Sequence, residues 1–234
     1  MSIYVIGDLH LSFETDKPMD IFGNNWFNHA EKIKENWMKK VTENDTVIIP
    51  GDFSCATYLE ETYKDFEFLN GLPGRKILLK GNHDYWWTTV THMNKFLKEN
   101  NFDNIYFLHN NSFLCENIII TGTRGWINSY QNLDNYKILR RENERLNLSI
   151  KDGISKYGND KEIIVFMHYP PFYKEEIDEE IDFINTMKKF NVSKCYYGHL
   201  HADSHKEAIE GKISDIEFKL ISSDYLNFDL IKIK

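Results

Sequence analysis

Short apolar runs alternate with longer amphipathic stretches through the first third of the chain. Each run is a few residues long and is followed by glycine or proline, which predicts a buried strand rather than a helix. The predicted strands cover residues 2–6, 46–49 and 76–80. Apolar side chains recur at helical spacing between these runs, and the predicted helices cover residues 25–40 and 58–70. This order of elements predicts βαβ units and a largely parallel sheet.

The rest of the chain shows the same two patterns. Further predicted strands cover 105–108, 112–115, 118–121, 163–167 and 194–197, and further predicted helices cover 88–98, 133–154 and 176–190. Charges of both signs along the helix over 133–154 are typical of a solvent-exposed surface. Alternating apolar and polar residues over 206–234 predict antiparallel strands that close a second sheet. The sequence has no internal repeat or linker, so we expect a single domain over residues 1–234.

Composition and charge restrict the possible partners. The 234 residues are 41% hydrophobic and 27% charged, which is usual for a globular protein, and the net charge is −8. This acidic balance argues against binding to nucleic acid or to an anionic membrane. The three cysteines are far apart, and the sequence has neither a signal-peptide pattern nor an apolar run of about 20 residues that could span a bilayer. We therefore expect a cytoplasmic protein without structural disulfides.

Side chains that commonly bind metals follow five of the predicted strands. Each motif alone has an ordinary explanation, such as a turn, a helix cap or a surface histidine. The carboxyl ends of parallel strands meet at one edge of a sheet, however, so that the five motifs can converge there. They are Asp8-Leu9-His10, Gly51-Asp52, Gly81-Asn82-His83-Asp84, His168 and Gly198-His199-Leu200-His201.

The donors in these motifs are too numerous for one zinc ion. Two carboxylates, one amide oxygen and four or five imidazoles exceed the four ligands of a tetrahedral site. Two divalent metals that share a carboxylate fit this set of donors. The mixture of imidazole and carboxylate suits manganese, iron, zinc or nickel and does not distinguish among them.

The order of the motifs resembles that of the calcineurin-like metallophosphoesterase superfamily. There the pattern runs Asp-x-His, Gly-Asp, Gly-Asn-His-Asp/Glu, a lone His and Gly-His-x-His. The resemblance extends from Asp8 to His201. It implies an α/β (α+β) fold, built as a four-layer α-β-β-α sandwich with mixed sheets. It also implies a dinuclear metal centre that hydrolyses a phosphomonoester or a phosphodiester.

The same resemblance implies two sets of metal ligands that share one carboxylate. The first ligand set comprises Asp8, His10 and His201. The second ligand set comprises Asn82, His168 and His199. Asp52 would bridge the two metals, and His83 would face the substrate as the general acid. Asp84 would either orient His83 or cap the helix that follows.

Such a centre has a clear physical basis for hydrolysis. Two cations about 3.5–4 Å apart lower the pKa of a bridging water and so supply hydroxide near neutral pH. They also hold two phosphoryl oxygens and offset the charge of an in-line transition state. The leaving alkoxide needs a proton, which the imidazole of His83 is well placed to give.

Residues beside the shared motifs bear on the substrate. Gly51-Asp52 is followed by residues 53–56 without the Asp-Arg element of many protein phosphatases in the superfamily, so we expect a small phosphate ester as the substrate. Arg124 is a candidate substrate-binding residue because its guanidinium suits bidentate contact with phosphate, although a surface turn would also explain it. Trp86 and Trp126 fit core packing better than the wall of a pocket.

Two alternatives stay open at this point. A nuclease of the same superfamily would need a basic groove, which the acidic balance does not indicate. A non-catalytic binding module on the same fold would be expected to have lost some of the ligands, and here all the predicted ligands are present.

Overall fold

The computed structural model describes residues 1–127, 133–173 and 182–234. The helices are α1 (His29–Lys40), α2 (Tyr63–Asn70), α3 (Val90–Glu99), α4 (Leu133–Tyr157) and α5 (Asp182–Lys189). The strands are β1 (Ile3–Val5), β2 (Thr46–Pro50), β3 (Arg75–Leu79), β4 (Ile105–Phe107), β5 (Phe113–Cys115), β6 (Ile118–Thr123), β7 (Glu162–Met167), β8 (Lys194–Tyr197), β9 (Gly211–Ile213), β10 (Ile216–Leu220) and β11 (Ile231–Lys232). None of these helices is long and apolar enough to cross a membrane.

The strands form two mixed sheets. The first has five strands in the order β11-β1-β2-β3-β4, and the second has six in the order β5-β6-β7-β8-β10-β9. In the first sheet β1 to β4 are parallel, and β11 is antiparallel at the edge. In the second sheet β6, β7, β8 and β10 are parallel, and β5 and β9 are antiparallel edge strands. The βαβ order in the sequence therefore gives parallel strands, as predicted.

Three apolar clusters separate four layers, which confirms the α-β-β-α sandwich. Successive residues of β2 point to opposite faces, so that Val47 and Ile49 pack with α1, α2 and α3, while Ile48 packs between the sheets. The third cluster lies between the second sheet and the helices α4 and α5, and includes Leu146 and Met187. Because both faces of each sheet are covered, the central strands are buried at nearly every position rather than at every second one.

The predicted antiparallel tail is partly wrong. β10 pairs in parallel with β8, with Phe218 opposite Cys195, and only β9 and β11 are antiparallel to their neighbours. The alternation along β10 reflects one buried face, which gives no information on the direction of the neighbouring strand. Of the helix predicted over 176–190, residues 182–189 are helical, and residues 176–181 lie outside the described residues.

Candidate metal centre

The predicted motifs converge where the carboxyl ends of the two sheets meet. Adjacent loops are tied together by backbone hydrogen bonds, such as the one from Asp8 N to Gly51 O (3.0 Å). The contact between the sheets is equally direct, because His199 N donates to the Asp8 carboxylate at 3.1 Å. The loops of both sheets thus contribute to a single site.

The first ligand set is compact. Each of Asp8, His10 and His201 offers one ligand atom, and these atoms all lie within 4.8 Å of one another. The Nε2 atoms of His10 and His201 are 3.4 Å apart, and His201 Nε2 is 3.7 Å from Asp8 Oδ1. One carboxylate and two imidazoles that face a common point suit a divalent transition metal.

The second ligand set consists of neutral donors. Asn82 Oδ1 lies 2.6 Å from His168 Nε2 and 2.8 Å from His199 Nδ1. The ring of Tyr169 packs against that of His199, with 4.1 Å between the ring centres. These contacts bring together one amide oxygen and two imidazole nitrogens, while their role as metal ligands stays a prediction.

Asp52 lies between the two sets. Its Oδ2 is 3.6 Å from His10 Nε2 and 3.5 Å from His168 Nε2, and it is buried without a hydrogen-bond partner among the described residues. A buried carboxylate oxygen is costly to leave unpaired. Burial, together with the nearby carboxylates of Asp84 and Asp8, raises the pKa of Asp52 well above its usual value. This unpaired oxygen, placed between two clusters of metal-type donors, fits a ligand shared by two cations.

The backbone at the site adopts conformations that are unusual for residues other than glycine. Asp8, His10, Asp52 and His199 have φ values of 58°, 46°, 50° and 73°. Such left-handed conformations are uncommon for residues other than glycine, although Asp and His adopt them more readily than most, and they cluster at functional sites, where the surrounding structure maintains them. The tight turns explain how ligands that follow a strand point back across its end.

Glycines in the motifs permit the close approach of ligands from other strands. A Cβ atom on Gly81 would collide with the carboxylate of Asp52, and one on Gly198 would collide with that of Asp8. The glycines that precede Asn82 and His199 in the sequence are therefore part of the site, because they leave room for the carboxylates.

Asp84 connects the loop after β3 with the loop after β2. Its buried carboxylate accepts hydrogen bonds from the indole of Trp86 and from the backbone N–H groups of Gly81, Asp52, Phe53 and Ser54. Among the described residues, none of its partners is the ring of His83. These contacts favour a role in positioning Asp52, while the assignment of Asp84 to the catalytic set stays a prediction.

His83 lies at the entrance to the site. Its backbone N–H donates to Asp52 Oδ1 at 2.7 Å, and its exposed ring is 5.5 Å from that of His10. Partial burial and the neighbouring His201 lower the pKa of His83, so that its protonated ring gives up the proton more readily.

An apolar cavity of about 520 Å³ adjoins His83. We define this apolar cavity by three histidines in its lining, His10, His83 and His201, and by its apolar lining residues Pro18, Met19, Ile21, Phe22, Trp26 and Tyr85. It opens beside the first ligand set and has the volume of a small-molecule site.

Sequence reasoning missed Asp224. Its Oδ1 lies 2.8 Å from His201 Nδ1, and its Oδ2 accepts a hydrogen bond from Ala202 N at 3.1 Å. Burial lowers the pKa of His201, but the hydrogen bond to Asp224 and the negative charge of the nearby Asp8 carboxylate outweigh this effect and raise the pKa to about 10. The signal was present, because Ser222-Ser223-Asp224 follows β10 as the other motifs follow their strands.

Arg124 and the two tryptophans occupy different environments. The guanidinium of Arg124 stacks on Trp126 at 4.6 Å, and its Nη2 is 3.8 Å from the carboxylate of Glu142. Trp86 is buried in the core against Phe66, as expected.

The prediction of a solvent-exposed charged surface on α4 is wrong for Glu142. This residue is 1% exposed, because arginines and the hydroxyl of Thr123 surround its carboxylate.

Comparison with known proteins shows the family and the fold. A search of the curated proteins found no match to the sequence. The structure is similar to a phosphopantetheinyl hydrolase from Mycobacterium tuberculosis, with a TM-score of 0.57 and 11% identity over 99% of this chain and 95% of that one. It is also similar to the protein TT1561 of Thermus thermophilus, with a TM-score of 0.57 and 11% identity over 98% and 96% of the two chains.

A protein of unknown function from Aquifex aeolicus, AQ665, has 18% identity and a TM-score of 0.50 over 99% of this chain and 95% of that one. At these identities the likeness shows the fold. The sequence model of the calcineurin-like phosphoesterases matches residues 1–203, which include all the motifs at the sheet edge. The chain therefore belongs to the calcineurin-like phosphoesterase family.

Proposed function

We propose that the protein is a metal-dependent hydrolase of a small phosphomonoester or phosphodiester, with two divalent metals at its active site. The observation that carries the proposal is the buried Oδ2 of Asp52, which has no hydrogen-bond partner among the described residues and lies within 3.6 Å of a ring nitrogen from each ligand set. Membership of the phosphoesterase family supports the reaction class.

The chain's own residues would divide the work as follows. The first ligand set, the second ligand set and Asp52 would hold the two cations. Bound divalent cations would polarise the phosphoryl oxygens and activate a water molecule for in-line attack. His201, by bonding to Asp224 through Nδ1, keeps Nε2 turned towards Asp8, as is usual for a metal-binding histidine. His83 donates a proton from its ring to the leaving alkoxide.

The apolar cavity supports a leaving group of moderate size and low polarity. It begins at His83, the proposed proton donor, and its volume of about 520 Å³ suits a small organic alcohol. A proton given by His83 would reach an alkoxide bound at this end of the cavity. This arrangement favours a small ester over a polymeric substrate.

The test is metal analysis combined with a panel of chromogenic mono- and diesters. The protein is depleted of metal and reloaded with manganese, iron, zinc or nickel, and hydrolysis is measured for nitrophenyl phosphate and bis(nitrophenyl) phosphate. We expect two metals per chain and hydrolysis that depends on them. Hydrolysis by Asp52→Asn is compared with that by the matched control Asp45→Asn. Asp45 is also a buried carboxylate, but it lies next to the opposite, amino-terminal end of β2. Absence of hydrolysis of both esters with every metal would contradict the proposal.

A further inference from the structure

A second cavity lies at the same sheet edge as the metal centre but contains none of the predicted metal ligands in its lining. Its volume is about 600 Å³. It is lined by residues at the carboxyl ends of β3, β4 and β6, by the start of α3 and by one face of α4. We call it the cationic cavity, and its charged lining residues are Lys80, Arg124, Arg141, Glu142 and Arg145.

Positive charge is in excess among the described residues that line this cavity. Four cationic side chains line it, and the carboxylate of Glu142 is already shared. Arg145 Nη1 lies 2.7 Å, Arg141 Nε 3.6 Å and Arg124 Nη2 3.8 Å from that carboxylate. One carboxylate cannot balance three guanidinium groups and Lys80, and the excess is unusual in a chain with a net charge of −8.

Two buried donors in the lining lack an acceptor among the described residues. They are Nε of Arg124 and the indole Nε1 of Trp87, a side chain that is only 8% exposed. Buried N–H groups in folded proteins are nearly always hydrogen-bonded, so an unpaired donor indicates a site for a partner. Two such donors beside excess positive charge indicate an acceptor that is an anion.

The start of α3 adds further donors. Thr89 caps this helix, with its Oγ1 accepting from His92 N, and residues 88–91 line the cavity. The N–H groups of a first helical turn have no acceptor within the helix, and the helix dipole favours negative charge there. Burial, together with the cations Arg145 and Lys80, lowers the pKa of His109 in the lining, as expected in a region of positive potential.

We propose that the cationic cavity binds a phosphate-class oxyanion, either free phosphate or a phosphoryl group of an organic molecule. The planar fork of a guanidinium matches the oxygens of phosphate, and the arginines supply several such forks. A dianion would offset the excess charge left after Glu142 is paired. The limited volume favours a small anion over a nucleic-acid strand.

The cavity is connected to the second ligand set through its lining residues. Arg124, which lines the cavity, accepts a backbone hydrogen bond from His168 N at 3.2 Å. The guanidinium of Arg124 stacks on Trp126, whose ring lies 5.5 Å from that of Tyr169. Lys80, also in the lining, is two residues before Asn82 in the sequence. A substrate that occupies the metal centre would therefore have the cationic cavity beside it. We assign the anion to a second phosphoryl group of the substrate. This assignment rests on the proposed hydrolysis, whereas the proposal that the cavity binds an anion does not depend on it.

Isothermal titration with inorganic phosphate tests the binding site. Asp52→Asn serves as the background, because it removes the phosphate binding expected of the metal centre. We expect this variant to bind one phosphate. When Arg141→Gln and Arg145→Gln are added to it, the dissociation constant for phosphate should rise about tenfold or more, because charge-assisted hydrogen bonds are lost. Addition of Arg140→Gln is the matched control, since Arg140 is on the same helix, contacts Tyr136 and is outside the lining.

Two further samples protect the experiment against misfolding. If Asp52→Asn unfolds, wild-type protein depleted of metal with a chelator replaces it. If the double change unfolds, Arg141→Gln alone replaces it, because the Arg141 side chain is 55% exposed and its replacement should disturb the fold little. Absence of phosphate binding in a folded sample without metals would overturn the proposal. Equal weakening by Arg140→Gln and by the lining variants would also overturn it, since it would reflect net charge alone.

Steady-state kinetics distinguishes the two sources of the anion. For a second phosphoryl group, the wild type has a KM about tenfold lower for propane-1,3-diyl bisphosphate than for propyl phosphate, and Arg141→Gln removes this difference. For a free effector, phosphate changes kcat for propyl phosphate in addition to competing with it at the metal centre, and Arg141→Gln removes the change in kcat but not the competition. If no ester is hydrolysed, the proposed function fails, while the phosphate titration still decides whether the cavity binds anions.

Discussion

The two ligand sets occupy one site but differ in charge. The first contains the carboxylate of Asp8 and has Asp224 behind His201, so that negative charge would surround a cation bound there. The second consists of an amide and two imidazoles, and the backbone of Arg124 lies beside it, with its carbonyl accepting a hydrogen bond from His168 N. The first set should bind its metal more tightly, and the side of the second set should attract an anionic substrate.

The largest expected effect comes from replacing Asp52, the carboxylate that the two ligand sets would share. Asp52→Asn should lower the occupancy of both metals and abolish hydrolysis, because the bridging carboxylate is lost to both positions at once. Metal content by mass spectrometry and the rate with nitrophenyl phosphate measure the two effects. Asp45→Asn, beside the amino end of β2, should retain both metals. If Asp52→Asn still held two metals tightly, Asp52 would not be a ligand that the two metals share.

His83 separates proton transfer from metal binding. His83→Ala should leave both metals bound and lower kcat with alkyl esters by about 10²–10⁴-fold, the usual contribution of a positioned general acid. The loss should be far smaller with nitrophenyl esters, whose leaving group departs without a proton. Both rates and the metal content are measured on one preparation. Equal losses for the two esters would exclude His83 as the acid.

Asp224 tests the difference between the two sets directly. Asp224→Asn removes the carboxylate behind His201, so metal affinity at the first set should fall by about 10–100-fold while the second set keeps its affinity. Competition with a chelator of known affinity measures the two binding steps separately. An equal fall in both steps would mean that the charge difference does not set the order of binding.

The smallest expected effect concerns Arg124. Arg124→Ala should raise KM for the substrate by about tenfold, the value of one charge-assisted contact, with little change in kcat. Arg124→Lys keeps the charge without the planar fork and should restore only part of the affinity. Unchanged kinetics with a lower melting temperature would give Arg124 a structural role beside Glu142.

The sequence was sufficient to predict which residues converge at the sheet edge wherever those residues follow an apolar run typical of a buried strand. The predicted ligands from Asp8 to His201 each follow an apolar run, and parallel strands deliver them to one edge. Asp224 was missed because β10 was assigned to an antiparallel tail, so its end was not expected at that edge.

Other features depend on three-dimensional contacts that spacing does not report. Glu142 lies in a helix of alternating charges, and its burial arises from arginines and a threonine that contact it in the folded chain. The left-handed backbone of Asp52 likewise accompanies a hydrogen bond from its N–H to the carboxylate of Asp84, a contact that the sequence does not report.

The most direct test of the account is the number and position of metals in crystals grown with manganese, read from anomalous diffraction. The account predicts two peaks that share Asp52 Oδ2 as a ligand, one bound by the first ligand set and the other by the second. A single peak, or two peaks of which only one contacts Asp52, would contradict it.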